Sequence, residues 1–550
     1  MTKNTRRPGK SPVAGINFLV RAVLLVLSLV TATVALIPPA GAADSHARIE
    51  GSGSSWSANA VNQWIADVNA QGLQVVFTGS GSAQGRKDYA LRTTDYGISD
   101  IGYLGTDPVS GASDTAQGRP YAYLPIVAGG TSFPYNITVA GKQVNNLRLS
   151  GQTLAKIFTN AVTNWDDPAI TADNNGRALP SLPIIPVVHS EGSGSTAQFT
   201  RYLATEYPSI WKPFSGGLGQ TEYFPRKDPQ VAQNGSDGVI NFVTSAAANG
   251  AIGYDEYSYA LGKAYPVVQL ENKAGYFTAP TQYNVAVALT KAQINYDKNS
   301  KDYLLQNLNN VYTMPDKRAY AMSSYSYMII PTSPTDPRMT TAKRQTLADF
   351  LYWDICGGQA EMGPIGYSPL PINLVEASFA QTNKLHTADK NVQLSHENVT
   401  TCHNPTFVAG HPTENYLAQI APEPPVCDEV GHGPCTGGTG TGPRGNPHNG
   451  HAPSSSPSAS TSPQPSGGST APTVPGQTTP SAGSSIPGVQ PSTGTTSGVD
   501  DIIGEPNTLP ASNNGGIGGL LAILAAIELL LVLAVPPIIA RRIQRRRSGP

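Results

Sequence analysis

The chain has 550 residues, of which 13% are charged, and a net charge of −1 at pH 7. That balance excludes a nucleic-acid binder, which needs a basic face, and points to no charged polymer as partner. The length exceeds one ordinary domain.

The chain opens on a basic segment, an apolar run from Ala22 to Ile37 and small residues at Ala40 and Ala42. This is the pattern of a secretory signal over 1–43, and it predicts an exported mature chain. In the following region, to about residue 372, short β-branched or apolar runs alternate with helical periodicity. "LQVVFTGS" (73–80), "YLPIVAGG" (123–130), "LPIIPVV" (182–188) and "YSYMIIP" (325–331) read as strands. "AVNQWIADVNA" (60–70) places Val61, Trp64, Ile65 and Val68 on one helical face, and 153–161 and 344–355 also read as helices. Strand followed repeatedly by helix predicts an α/β fold with largely parallel sheets, in more than one lobe.

Residues 373–435 hold all four cysteines but Cys356, and read as a small disulfide-bonded appendage. In an exported chain an even number of cysteines favours disulfides, and no regular CxxC pair supports a metal site. Pairing stays open, with Cys356–Cys402 and Cys427–Cys435 the simplest choice. Residues 436–508 are rich in Gly, Pro, Ser and Thr and cannot bury enough surface to offset ordering, so a disordered stalk is expected. Its reach is on the order of 45 Å as a flexible coil and about 200 Å if proline keeps it extended.

The apolar segment 517–540 is long enough to span a bilayer, and the basic tail 541–550 should stay cytoplasmic. Glu528 lies in mid-span, where a charge is costly. The stretch "LPASN" (509–513) is similar to a sortase signal but carries Ser512 and Asn513 where Thr-Gly is usual. The expected topology is a single-pass type I membrane protein with its folded body outside, on a Gram-positive surface.

Three Gly/Ser loops precede helix-like sequence: "GSGSSW" (51–56), "TGSGSAQG" (78–85) and "HSEGSGST" (189–196). Helix starts carry unpaired N–H groups and a positive dipole end, so they attract anions. Glycine permits close approach, and serine adds a hydroxyl. One such loop is ordinary capping chemistry; three can converge on one small anion. No G-x-S-x-G elbow and no P-loop ending is present, which argues against hydrolase and nucleotide-phosphate chemistry. No enzyme, cofactor or metal is expected.

In order, these loops resemble the phosphate-binding protein family of the phosphate-specific ABC transporter, the PstS type. "DYGISD" (95–100), "LRLSGQTLAKIFTNAVTNWDDPAI" (147–170), "GSDGVINFV" (235–243), "GAIGYDEYSYA" (250–260) and "LADFLYWDICGGQAEMGPIGYSPLP" (347–371) complete the resemblance, which runs from about Ile49 to Pro371. It implies a two-lobe periplasmic-binding-protein type II fold over 48–372 with crossing hinge strands, capture of inorganic phosphate, and delivery to ABC permease subunits. Carried over by position, Ser55, Trp56 and Ser80 contribute from one lobe, and Ser193, Gly194 and Ser195 from the other. Asp100 becomes the acceptor that selects a protonated oxyanion over sulfate. His189 stands where the family usually has arginine, and Trp56 where phenylalanine is usual. Histidine offers fewer charge-assisted bonds, so weakened or pH-dependent binding is expected, with Glu191 placed to keep His189 protonated and Arg86 a second source of charge. The alternative is a surface binding or sensing protein with a weakened phosphate site or another ligand.

Overall fold

The computed structural model describes residues 46–394 and 398–435. The expected signal, stalk and membrane segment lie outside the described residues. Among those described, no helix is long and apolar enough to cross a membrane.

The elements that build the site are, in chain order, β1 (Ile49–Gly53), α1 (Ala58–Ala70), β2 (Val75–Thr78), α2 (Ser82–Ala90), β3 (Tyr96–Ser99) and β4 (Tyr121–Ser132). They continue with α3 (Gly151–Phe158), β5 (Ile185–His189), α4 (Gly194–Glu206), β6 (Val231–Gln233), α5 (Gly235–Val243), β7 (Ala251–Gly253) and β8 (Asp255–Glu256). The last are β9 (Ser323–Pro331), α6 (Thr341–Ile355) and α7 (Ile372–Ala388). The strands and helices expected from periodicity all form, with shifted ends.

A six-stranded sheet runs in the order β8-β4-β9-β3-β1-β2, and a three-stranded sheet in the order β6-β5-β7. β1 pairs in parallel with β2 and β3, and β5 in parallel with β6 and β7. Each of these parallel units is right for strand–helix–strand connections, which place helix starts at the carboxyl ends of the strands. β4 and β9 pair antiparallel at the centre of the larger sheet.

The period of two in β9 separates two cores. Met328 and Ile330 face Trp64, Leu347, Phe350 and Leu351 of α1 and α6. Tyr325, Tyr327 and Ile329 join a second cluster that continues to Phe133, Phe158, Phe199 and Tyr254 around the smaller sheet. Burying each such side chain contributes about 1.5–3 kcal/mol. α1 buries Val61, Trp64 and Val68 on the one face predicted for it.

The chain passes from β4 to the smaller sheet through Phe133 to Asn136, where Tyr135 bridges Ile252 and the Asn136 N–H donates to the Ala251 carbonyl at 2.8 Å. It returns at Ser323. The register of β4 against β9 shifts beside Pro125, which has no N–H to give.

The Cys-containing segment is packed into the same unit. α7 lies on β4, with Ser378 Oγ donating to the Pro125 carbonyl at 3.0 Å and Gln381 Nε2 to the Tyr123 carbonyl at 3.0 Å. Farther on, Asn404 and Thr406 donate to the Leu370 carbonyl. Arg148 then holds the carbonyls of Cys427 and His432 at 3.1 and 2.7 Å. Disulfides join Cys356 to Cys402 and Cys427 to Cys435, the simplest choice open to the sequence. The described residues of 373–435 are thus tied to the rest of the fold by hydrogen bonds from side chains to main-chain carbonyls, where an appendage was expected.

Candidate anion-binding site

Four strand-to-helix turns converge: 54–57 after β1, 79–81 after β2, 190–193 after β5, and Asn234 after β6. A Cβ on Gly79 would lie 3.5 Å from Ser55 Cα, and one on Gly81 would lie 2.8 Å from Glu191 Cγ. The Ala83 N–H donates to the Gly192 carbonyl at 3.0 Å, tying α2 to the turn before α4. Gly81 has φ +94°, which glycine adopts without strain at this junction.

Asp100 follows β3 and is buried at the centre. Its carboxylate accepts from Ser54 Oγ at 2.9 and 2.7 Å, from Ser82 Oγ at 3.2 Å and from Ser326 Oγ at 2.7 Å. Burial raises its pKa above the ordinary aspartate value, and the Ser326, Ser54 and Ser82 hydroxyls oppose that rise by stabilising the charged form. Gln198 of α4 donates to the Asp100 carbonyl at 2.9 Å. The start of α4 therefore lies directly against this carboxylate.

Of the expected ligands, Ser193 caps α4, its Oγ accepting from the Thr196 N–H at 3.3 Å. Gly194 and Ser195 begin the helix, where first-turn N–H groups have no intrahelical partner. The hydroxyl oxygens of Ser195 and Ser80 are enclosed and form no hydrogen bond. Buried polar atoms of this kind are costly unless something completes them. Ser55 Oγ faces the start of α5, with the Ser236 N–H at 3.2 Å and Ser236 Oγ at 3.0 Å. Trp56 is a wall: it is 2% exposed, its Nε1 donates to Thr131 Oγ1 at 3.2 Å, and its ring meets Tyr367 edge-on.

His189 differs from the expectation of a direct donor. It ends β5, buried, with Nδ1 at 2.7 Å from Glu191 Oε1 and Nε2 at 3.2 Å from the Tyr254 carbonyl. Both ring nitrogens are thus engaged by protein groups. Burial opposes its charge, yet Glu191 outweighs burial and raises its pKa above the ordinary histidine value. Glu191 is driven the other way despite its burial, and it also accepts from the Gly235 N–H at 3.0 Å. His189 thus positions Glu191, which links α4's turn to that of α5.

Arg86, expected as a second source of charge for the anion, is instead engaged by carboxylates. It is 1% exposed and held between Glu222, with Nη1 at 3.0 Å from Oε2, and Asp114, with Nη2 at 2.8 Å from Oδ2. Its Nη1 also donates to Ser99 Oγ at 3.0 Å. Both nearby cations face carboxylates, so attraction for an anion falls to helix starts and hydroxyls.

Sequence reasoning missed Ser54, Ser82, Ser236 and Ser326 as participants. Ser82 carried a signal, since it stands in "TGSGSAQG" directly after Gly81 at the helix start. Ser236 had one too, in the fourth Gly-Ser turn "NGSDG" (234–238). Ser326 lies inside an apolar strand and had none.

The chain matches the PBP superfamily domain over residues 39–356. It is 30% identical over 340 residues to the phosphate-binding protein PstS of Xylella fastidiosa (strain Temecula1), covering 62% of this chain and 86% of that protein. It is 28% identical over 350 residues to the phosphate-binding protein PstS of Methanocaldococcus jannaschii, covering 61% and 86%. Among solved structures, a phosphate-binding protein from Stenotrophomonas maltophilia is similar with a TM-score of 0.44 and 17% identity, over 61% of this chain and 93% of that one. By the superfamily match and by its identity to full-length relatives, this chain belongs to the PstS-type phosphate-binding proteins of the PBP superfamily.

Proposed function

We infer that the chain is an extracytoplasmic solute-binding protein that captures inorganic phosphate and passes it to an ABC importer. The observation that carries this reading is the buried Asp100 carboxylate. It receives three serine hydroxyls and stands against the start of α4, beside the unpartnered hydroxyls of Ser80 and Ser195. A carboxylate has roughly four lone-pair sites. Three hydroxyl protons reach it, that of Ser54 shared between both oxygens, so it can accept one more proton-bearing oxygen, such as the hydroxyl of hydrogen phosphate, and it repels a fully ionised oxyanion. Helix-start N–H groups and serine hydroxyls donate to the remaining oxygens.

In this reading Ser55, Trp56 (through its main-chain N–H), Ser80 and Asp100 act from the larger sheet's side. Ser193, Gly194 and Ser195 act from the other, with His189 behind them. Crossing strands let the two parts close over the ligand. The signal over 1–43, the stalk 436–508 and the span 517–540 with tail 541–550 would tether the domain outside the membrane beside its permease.

Calorimetry with phosphate and sulfate tests the capture reading. Phosphate should bind more tightly than sulfate, and Asp100→Asn should reduce that preference by about tenfold or more, since an amide nitrogen presents donors where the carboxylate accepts. Absence of phosphate binding by the folded protein would overturn it.

A further inference from the structure

A cavity of about 400 Å³ lies where the entry into β4, the loop 298–303 and α7 meet. It shares no residue with the converging turns. Lys298, Lys301 and Lys384 line it together with Arg119, Tyr121 and Tyr303, and no carboxylate does. Asp302, next to Lys301, lines a separate cavity of about 180 Å³ beside Gln198 and Gln306.

Arg119 is a fixed part of this wall. It is 1% exposed, its Nε donates to Asp336 at 2.7 Å, and its Nη1 donates to the carbonyls of Tyr89 and Thr94 at 2.8 and 2.9 Å. Its guanidinium lies over the Tyr89 ring at 4.1 Å, and its Nη2 is buried with no hydrogen-bond partner. The Lys384 ammonium is lowered from the ordinary lysine value by desolvation, with no anion opposing the shift. The three lysines are exposed where they line the cavity, so an anion entering it meets cationic side chains.

We propose that this cavity binds a small phosphate ester with a sugar or polyol body. Lysines act as point charges for a phosphate group, and the half-buried Tyr121 and Tyr303 of the lining supply aromatic surface for the body. The volume falls in the range of small-molecule sites and exceeds what a bare orthophosphate would fill. The protein would then carry two phosphate-reading sites: a closed one built from helix starts and serines, and an open one built from lysines.

The test is calorimetric titration of glucose 6-phosphate into the full-length protein loaded with one equivalent of inorganic phosphate. Binding with Kd below about 1 mM is expected, weakened at least tenfold in Lys298→Gln/Lys301→Gln/Lys384→Gln, with glucose giving none. Inorganic phosphate binding at the Asp100 site should be unchanged in that variant, which also reports its folding. Lys301→Gln alone, on an exposed side chain, serves if the triple variant fails to fold, and should weaken binding several-fold. No binding of glucose 6-phosphate, or equal affinity in wild type and variants, would overturn the proposal, whatever the outcome for the closed site.

Discussion

Gly194 and Asp100 meet so closely that a Cβ on Gly194 would stand 2.1 Å from Asp100 Oδ2 and 2.5 Å from Ser82 Oγ. The two residues belong to different sheets' surroundings, 194 at the start of α4 and 100 at the end of β3. Their contact therefore joins the start of α4 directly to the end of β3. Gly194→Ala suits the helix but not this contact. It should lower phosphate affinity by about 5- to 150-fold, the equivalent of 1–3 kcal/mol of overpacking, with little change in Tm. Calorimetry and thermal melts separate the two effects; unchanged affinity would show that the site binds without this approach.

Glu222 and Asp114 hold Arg86 from two sides, Glu222 from the segment between α4 and β6 and Asp114 from the loop before β4. Breaking a buried pair leaves a charge uncompensated. Glu222→Gln should release phosphate faster and weaken its binding by about tenfold, because it cuts the link between α2 and the segment that follows α4. Asp114→Asn, acting within one part, should lower Tm without that change in release rate. Stopped-flow displacement of bound phosphate checks the difference.

Asp255 lies behind the site, and burial pushes its carboxyl up to about 7, with His189 and Ser236 opposing the shift. The folded state thus holds a proton that the unfolded chain has released, so stability should fall as pH rises from about 4 to 7. Asp255→Asn should flatten that slope in denaturation curves. Above pH 7 the ionised carboxyl adds negative charge beside His189, so wild-type phosphate affinity should decline more steeply with pH than that of Asp255→Asn. Equal pH profiles would refute this role.

The His189–Glu191 pair has two limits. Burial works against the imidazolium, but Glu191 raises its pKa above 6.5; the stability it contributes is complete below 6.5 and is lost as pH rises through the folded value. Glu191 is lowered from 4.5, so its contribution is present above that value and is lost as pH falls through the folded one. His189→Gln should cost about 1–3 kcal/mol near neutral pH and remove the alkaline limb. Melts between pH 5 and 9 would reveal a wild-type loss absent from the variant.

Much of this was legible along the chain. The alternation of strand and helix and the Gly/Ser turns depend on local pattern: β-branched runs with period two, apolar residues spaced by three or four, and glycine and serine where a helix begins; Asp100 was singled out only by the resemblance. The simplest cysteine pairing also matched neighbours in space. Legibility ended where a side chain's partner lies far along the chain. Ser326 reaches Asp100 only because β9 pairs with β3, across 226 residues. Arg86 looks like a free helix-start cation until the fold buries it against Glu222, 136 residues away.

The sequence by itself therefore determined the α/β order and which turns could meet an anion, since those follow from residues that are neighbours in the chain, and the order of its motifs from Ile49 to Pro371 pointed to the family. Only the tertiary structure decided which hydroxyls reach Asp100, that both nitrogens of His189 are spent on Glu191 and Tyr254, and that residues 373–435 bind back onto the fold. These are matters of long-range register and burial, and burial decides whether a charge finds water, a carboxylate or a ligand.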